Sequence, residues 1–298
     1  MNRQDLVKGH FQTLQQDIIR QLESADGFGR FLSEEWQRPG GGGGITRILT
    51  GGRIIEKGGV NFSAVFGETP PGIKSGFGFD DENFFASGVS SVLHPENPYV
   101  PIIHMNVRYF ELSGGRAWFG GGIDLTPAYV FHEDGVIFHQ MLKDVCDRYD
   151  ENWYTKYKEN ADRYFYIPHR KECRGIGGIF YDRLDASSDA EFERLMDFSL
   201  ALGNLFAPLY TKFMKRHAEA PYTEIQKNWQ LHRRARYAEF NLVYDAGTRF
   251  GLETNGRTES ILMSMPPLAK WESNFAPVAG SEEENSQNYF SAPVNWIT

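Results

Sequence analysis

Within IIHMNVRYFEL, residues 102–112, an imidazole, an amide and a guanidinium occupy alternate places, at His104, Asn106 and Arg108. Met105, Val107 and Tyr109 fall between them. A period of two puts the polar groups on one face of a strand and the large apolar ones on the other. Such a face can donate hydrogen bonds, fork onto a carboxylate and carry a proton. GGGIDLTP adds Asp124, which follows three glycines and precedes a proline-containing turn. The spacing predicts a carboxylate projecting from a strand end into space the glycines leave open. The plainer alternative is an aspartate that caps a turn.

Arginine gathers beside glycine and histidine: Arg170 and Arg174 in PHRKECRGIGG, Arg233, Arg234 and Arg236 in QLHRRARY, and Arg257 in NGR. Any one of them can be solvated surface charge. In a chain of net charge -8 the cluster also suits a local anion site. The same net charge disfavours nonspecific nucleic-acid or membrane-surface binding. The eight histidines contain no HExxH or i,i+4 pair. Singly, each is more often a hydrogen-bonded structural residue than a ligand. His94, His104, His139 and His169 are the four that flank the glycine and arginine motifs.

The glycine runs match neither a P-loop nor a complete dinucleotide fingerprint, and no serine sits in a GxSxG elbow. Two cysteines, Cys146 and Cys173, cannot form a disulfide framework, a Cys-rich zinc site or a cysteine-ligated iron–sulfur cluster. They suit a cytoplasmic protein. Aromatic residues make up 14% of the chain, enough for a large aromatic core or for the walls of a flat apolar ligand pocket.

The elements that must position these residues follow from periodicity. Leu6, Phe11, Leu14, Ile18 and Leu22 predict an N-terminal helix rather than a signal peptide. No stretch approaches the roughly 20 apolar residues of a membrane span, so a soluble protein is expected. Residues 40–44, GGGGG, read first as a flexible loop and alternatively as backbone approached closely by something else. Ile48-Leu49 and Ile54-Ile55 suit short hairpin strands, and residues 84–130 read mainly as strand. Two helices broken near Asp150 follow, then a long one with a Ser188–Glu191 capping box and an apolar stripe, kinked or split at Pro208. Strands are predicted again from about 237, with hairpin turns at Asp245–Gly247 and Asn255-Gly256. The sum is one domain, residues 1–298, of α/β (α+β type) class: an antiparallel sheet with helices packed on it and a weakly structured tail from about 273.

Five blocks in order, KGGVNFSAV, GVSSVLHPENPYVPIIHMNVRYFE, WFGGGIDLTP, HRKECRGIGGIFYD and EFNLVYDAGTRFGLETNGRTESILMSMPP, closely resemble the oxygen-dependent coproporphyrinogen III oxidases of haem biosynthesis. With the stretches between them they cover nearly the whole chain up to Trp271. The resemblance implies a large flat antiparallel sheet between layers of helices, in a homodimer formed through about Tyr237–Glu272. It implies oxidative decarboxylation of the ring A and B propionates of coproporphyrinogen III to the vinyls of protoporphyrinogen IX, with O2 as co-substrate and no organic cofactor. By position, His104 matches the proposed proton donor and Ser90 a substrate-contacting serine. Asn106, Val107 and Arg108 match one substrate-binding triplet, and Asn255, Gly256 and Arg257 a second. A catalytic role falls to Asp124, aimed at the pyrrole nitrogens. Bacterial members have been given a divalent-metal role for histidines matching His94, His104, His139 and His169, whereas other members are described as needing no metal. The chain departs from the family at Ala246, where Asp-Arg-Gly-Thr is usual, and at Asn255, where glycine is common. The rival readings are a non-catalytic tetrapyrrole carrier and a metal-dependent oxygenase or hydrolase using the four histidines.

Overall fold

A computed structural model describes residues 2–69, 83–253 and 256–297. Seven strands form one antiparallel sheet in the order β1-β2-β3-β4-β5-β6-β9. They are β1 (Leu32–Gln37), β2 (Gly42–Thr50), β3 (Ile55–Glu68), β4 (Asn83–Pro95), β5 (Ile102–Leu112), β6 (Ala117–Thr126) and β9 (Gly178–Asp185), while β7 (Tyr166–Ile167) and β8 (Glu172–Cys173) pair apart from it. Hairpin succession through β6 gives the meander, and β9 then closes on β6.

The alternation in β5 works as the pattern predicts. Met105, Val107 and Tyr109 are fully buried, whereas His104, Asn106 and Arg108 are half-buried on the opposite face. The buried face of the sheet packs against α1 (Arg3–Asp26), which lies on β3 and β4, and α4 (Asp189–His217), which lies on β5 and β6. Asn2 caps α1, and Ser188 caps α4 by accepting from the Glu191 N–H. Pro208 neither splits nor ends α4, which runs through it for 29 residues. The core joins α1 and α4 to α2 (His132–Cys146) and α3 (Trp153–Tyr164), the helix pair predicted on either side of Asp150. Many of the aromatics serve this core. Phe198, for example, is ringed by Tyr149, Trp153, Tyr157 and Tyr181.

Three expectations are corrected. Residues 40–44 are not a loose loop: Gly40 and Gly41 turn at positive φ and Gly42–Gly44 lie in β2. A Cβ at Gly43 would come within 2.2 Å of the Trp36 carbonyl, so the alternative of close backbone approach holds. The strands predicted from about 237 are instead helical: α5 (Glu224–Val243), α6 (Ala246–Glu253) and α7 (Thr258–Leu262). Thr223 and Gln226 form a reciprocal capping box that starts α5, and Asp245 accepts from the Thr248 N–H where a hairpin turn was expected. Asn255 lies outside the described residues. The tail also carries structure, with α8 (Glu282–Tyr289) and buried Phe290 and Trp296. Phe290 has the Arg233 guanidinium 4.0 Å from its ring centre, a contact invisible to a composition-based reading. Among the described residues no helix is long and apolar enough to cross a membrane.

Candidate active site

The second face of the sheet is covered only in part. At one end α5 lays Tyr237 on Val92 and Ile102. Beyond it the strand registers align two lateral rows of small or polar residues. One is Thr46, Asn61, Ser90, Asn106 and Gly122; the next is Ser63, Gly88, Arg108 and Gly120. Three glycines and two serines among these keep the floor low, so Asn106 and Arg108 stand above it. Glycine at 120 has a direct reason: a Cβ there would meet Arg108 Nε at 2.8 Å.

The floor has a wall on each side. On one, Ser260 of α7 accepts from Asn61 Nδ2 through its carbonyl at 2.9 Å, and its hydroxyl lies 2.9 Å from Thr46 Oγ1. Arg257 donates to both hydroxyls, at 3.1 and 3.2 Å, and pairs with Glu34. On the other, Phe180 of β9 stacks on Tyr164, and Arg108 Nη2 donates to Asp182 Oδ1 at 3.0 Å. Arg108 is 42% exposed, free to exchange this partner for a ligand carboxylate.

His104 lies one row nearer α5, directly opposite Asp124 in the β5–β6 ladder. Its Nδ1 is 2.7 Å from Asp124 Oδ1, which makes Nδ1 the donor and leaves Nε2 without a protein partner among the described residues. The other Asp124 oxygen is held by Arg174. Burial alone would raise the Asp124 pKa, but the Arg174 charge and the His104 contact overrule it and hold it below the ordinary value. Arg174 in turn donates to Asn241 Oδ1 at 2.7 Å, with the rings of Phe165, Tyr237 and Phe240 stacked about its guanidinium. The result is a relay of fixed groups, Asn241–Arg174–Asp124–His104, that opens to the cleft only at the imidazole.

This arrangement corrects the expectation for Asp124. It does not project into open space: it is 2% exposed, with one oxygen on His104 and the other on Arg174. The reason is β9: Gly177 and Gly178, both at positive φ, bring that strand tightly onto β6 opposite Asp124 and shut off the space predicted there. Val107 is likewise buried in the helical core, so only its backbone belongs to the cleft. Ser90, Asn106, Arg108 and Arg257 are brought to the one face, with Gly256 beside Arg257. Thr46, Asn61, Asp182 and Ser260 join the site without having been singled out for it, and Arg174, singled out as a possible anion contact, is instead buried against Asp124. The signal for Asn61 was present: in VNFSAV, Asn61 and Ser63 alternate with Val60, Phe62 and Ala64, the same pattern as β5.

The four histidines proposed as a metal set do not converge. His94 is buried beside Tyr237, with Nε2 on the Ser264 carbonyl at 2.8 Å. His139 sits in the helical core, bonded to the Ile176 carbonyl and the Tyr154 hydroxyl. His169 pairs with Glu239 and Tyr244. Among the described residues no group of three His, Cys, Asp or Glu side chains could hold a metal ion. The donors do not fit one, because each imidazole is committed to a different element.

Burial pushes the pKa of His94 and of His139 down to about 3, so both fold as neutral rings. The unfolded chain takes up those protons near pH 6.5, and stability is therefore intact above that pH and lost as pH falls toward 3. Each contributes up to about 1.4 kcal/mol per pH unit to that slope. Denaturant melts from pH 7.5 to 4.5 should show it, and His139→Gln should remove one histidine's share. An unchanged slope in that variant would contradict the assignment.

Residues 6–296 match the sequence profile of the coproporphyrinogen III oxidase family. The chain belongs to this family. It is 45% identical over 309 aligned positions to the oxygen-dependent coproporphyrinogen-III oxidase of Prochlorococcus marinus (strain NATL1A), covering 96% of this chain and 88% of that relative. Within the coproporphyrinogen III oxidase framework Ala246 is a departure. Its N–H is bonded to the Tyr164 hydroxyl at 3.0 Å, and its methyl group brings no charge to the cleft.

Proposed function

We propose that the chain is an oxidoreductase that converts coproporphyrinogen III to protoporphyrinogen IX with molecular oxygen. Family membership and the named activity of its relative support this, and one observation carries the chemistry: His104, backed by Asp124 and Arg174, shares an open face with Arg108 and Arg257. The two guanidiniums suit propionates, and the low floor suits a flat macrocycle.

Each propionate becomes a vinyl and carbon dioxide, with the loss of two electrons and, from the carbon next to the ring, of one hydrogen as a proton. Oxygen accepts both electrons, that hydrogen and one further proton, and leaves as hydrogen peroxide. The electron-rich substrate supplies the electrons, so the reading requires no organic cofactor. Arg108 and Arg257 hold propionates in position, which lowers the entropy cost of reaching the transition state. His104 takes up a solvent proton at Nε2 and passes it to the reduced oxygen as the further proton, while Asp124 holds the Nδ1 proton. Ser90 and Asn106 contact the macrocycle from the floor.

Anaerobically prepared coproporphyrinogen III added to chelator-treated chain, followed by air, tests this directly. Protoporphyrinogen and carbon dioxide should form without added metal. Product only after a divalent cation is returned would favour the metalloenzyme, and bound but unchanged porphyrinogen a carrier.

The functional unit in this reading is a homodimer joined through about Tyr237–Glu272. Leu242, Val243, Leu252, Leu268 and Trp271 are all exposed in that stretch, an apolar set that a second copy would cover. Sedimentation that returns only a 34.0 kDa species at micromolar concentration would end this part of the proposal. Cys146 and Cys173, both buried and unpaired, agree with a reducing cytoplasm.

A further inference from the structure

On the helix-covered side of the sheet, away from the cleft, a cavity of about 360 Å³ opens between α1 and β2. Its volume is within the usual range of small-ligand sites, roughly 300–1,000 Å³. From α1 come Gln16, Arg20, Glu23 and Ser24, from the turn after it Arg30, and from β2 Arg47. Edge strand β1 follows the rim, because Ser33 pairs with Arg47 in the ladder.

The charges of this lining are poorly balanced. Arg47 makes no hydrogen bond or ion pair among the described residues, and its Nε is shut from water without an acceptor. Arg30 donates to the carbonyls of Phe28 and Gly29, which fix its direction without neutralising it. Arg20 pairs with Asp17 on the outer surface. The one acid in the lining, Glu23, already accepts the Phe31 N–H at 2.8 Å. The terminal N–H groups of Arg47 are not shut away with Nε, and they are the donors left for a ligand in the cavity. In a chain of net charge -8 such positive charge would ordinarily find a carboxylate.

We infer that this cavity binds a small multivalent oxyanion, a phosphoryl compound or a polycarboxylate, gripped by Arg47 and Arg30 with the Ser24 hydroxyl and Gln16 amide as further donors. Planar guanidiniums present paired N–H groups that match either kind of oxyanion. The site is separate from the cleft, since Arg47 is turned to the α1 side of β2 while its neighbour Thr46 faces Arg257.

Calorimetric titration of the full chain with inorganic phosphate, pyrophosphate and citrate, in a low-salt buffer free of other multivalent anions, tests the inference. At least one should bind at one site per chain, and Arg47→Ala or Arg30→Ala should weaken it tenfold or more. Arg47→Lys should recover part of the loss, and Arg108→Ala should change nothing. Binding of the phosphates alone assigns a phosphoryl ligand, and binding of citrate alone a polycarboxylate. Because Arg47 has no partner to lose, Arg47→Ala should fold and turn over porphyrinogen as the parent does. The inference is overturned by no binding of any of the three up to about 10 mM. Binding within twofold of the parent in Arg47→Ala overturns it too, as does loss of binding in Arg108→Ala, which would place the anion in the cleft.

Discussion

Asp124→Asn is expected to lower kcat by about a hundredfold or more while KM for coproporphyrinogen III stays within a few-fold. In the proposed mechanism the carboxylate acts through His104, so affinity is spared. What is lost is the charge and one of two acceptor oxygens, so the side chain can no longer serve both Arg174 and the Nδ1 proton of His104 that presents Nε2 to the cleft. The same change strands the Arg174 guanidinium, 2% exposed, without its counter-ion. Breaking one half of a buried pair costs about 3–5 kcal/mol, so the variant should also melt earlier. His104→Gln separates the two effects, because it leaves Asp124 paired with Arg174 and should lose turnover with little loss of stability. Near-normal kcat in either variant would remove His104 from the proton transfer.

The second large effect is expected at Arg108. Arg108→Ala should lower kcat/KM by about 10- to 100-fold, the weight of a charge-assisted hydrogen bond of about 1.5–3 kcal/mol. Arg108→Lys keeps the charge but loses the fork, and should mainly raise KM. Neither variant should disturb the fold, since the pair with Asp182 is solvent-exposed and such pairs contribute about 0–1 kcal/mol. Unchanged affinity of Arg108→Ala for the tetracarboxylate would assign the propionate contact elsewhere.

Strong periodicity was legible wherever one face of an element meets the core. The alternation of β5 and the stripe of α4 reflect burial of every second or every third to fourth side chain, which neighbours in the chain already display. The region from 237 misled because NG and DAG are turn signals of short range, while the capping box at Thr223 and the packing of Tyr237 and Phe240 decide for helix. The tail misled for a related reason. Its polar composition conceals Phe290 and Trp296, whose burial depends on a cavity that other elements build.

By itself the sequence determined which side chains could do the chemistry: the polar face of His104, Asn106 and Arg108, the arginine at 257, and the absence of thiolate or nucleotide machinery. Local alternation is enough to set a side chain's face, and residue type is enough to set its charge. Only the tertiary structure decided which of these groups act together. It joined Asp124 to Arg174, 50 positions apart, and set that carboxylate behind His104. It also dispersed the four histidines over separate elements. Pairing of this kind depends on the β6–β9 ladder and on α5 closing over it, distances that no local spacing encodes.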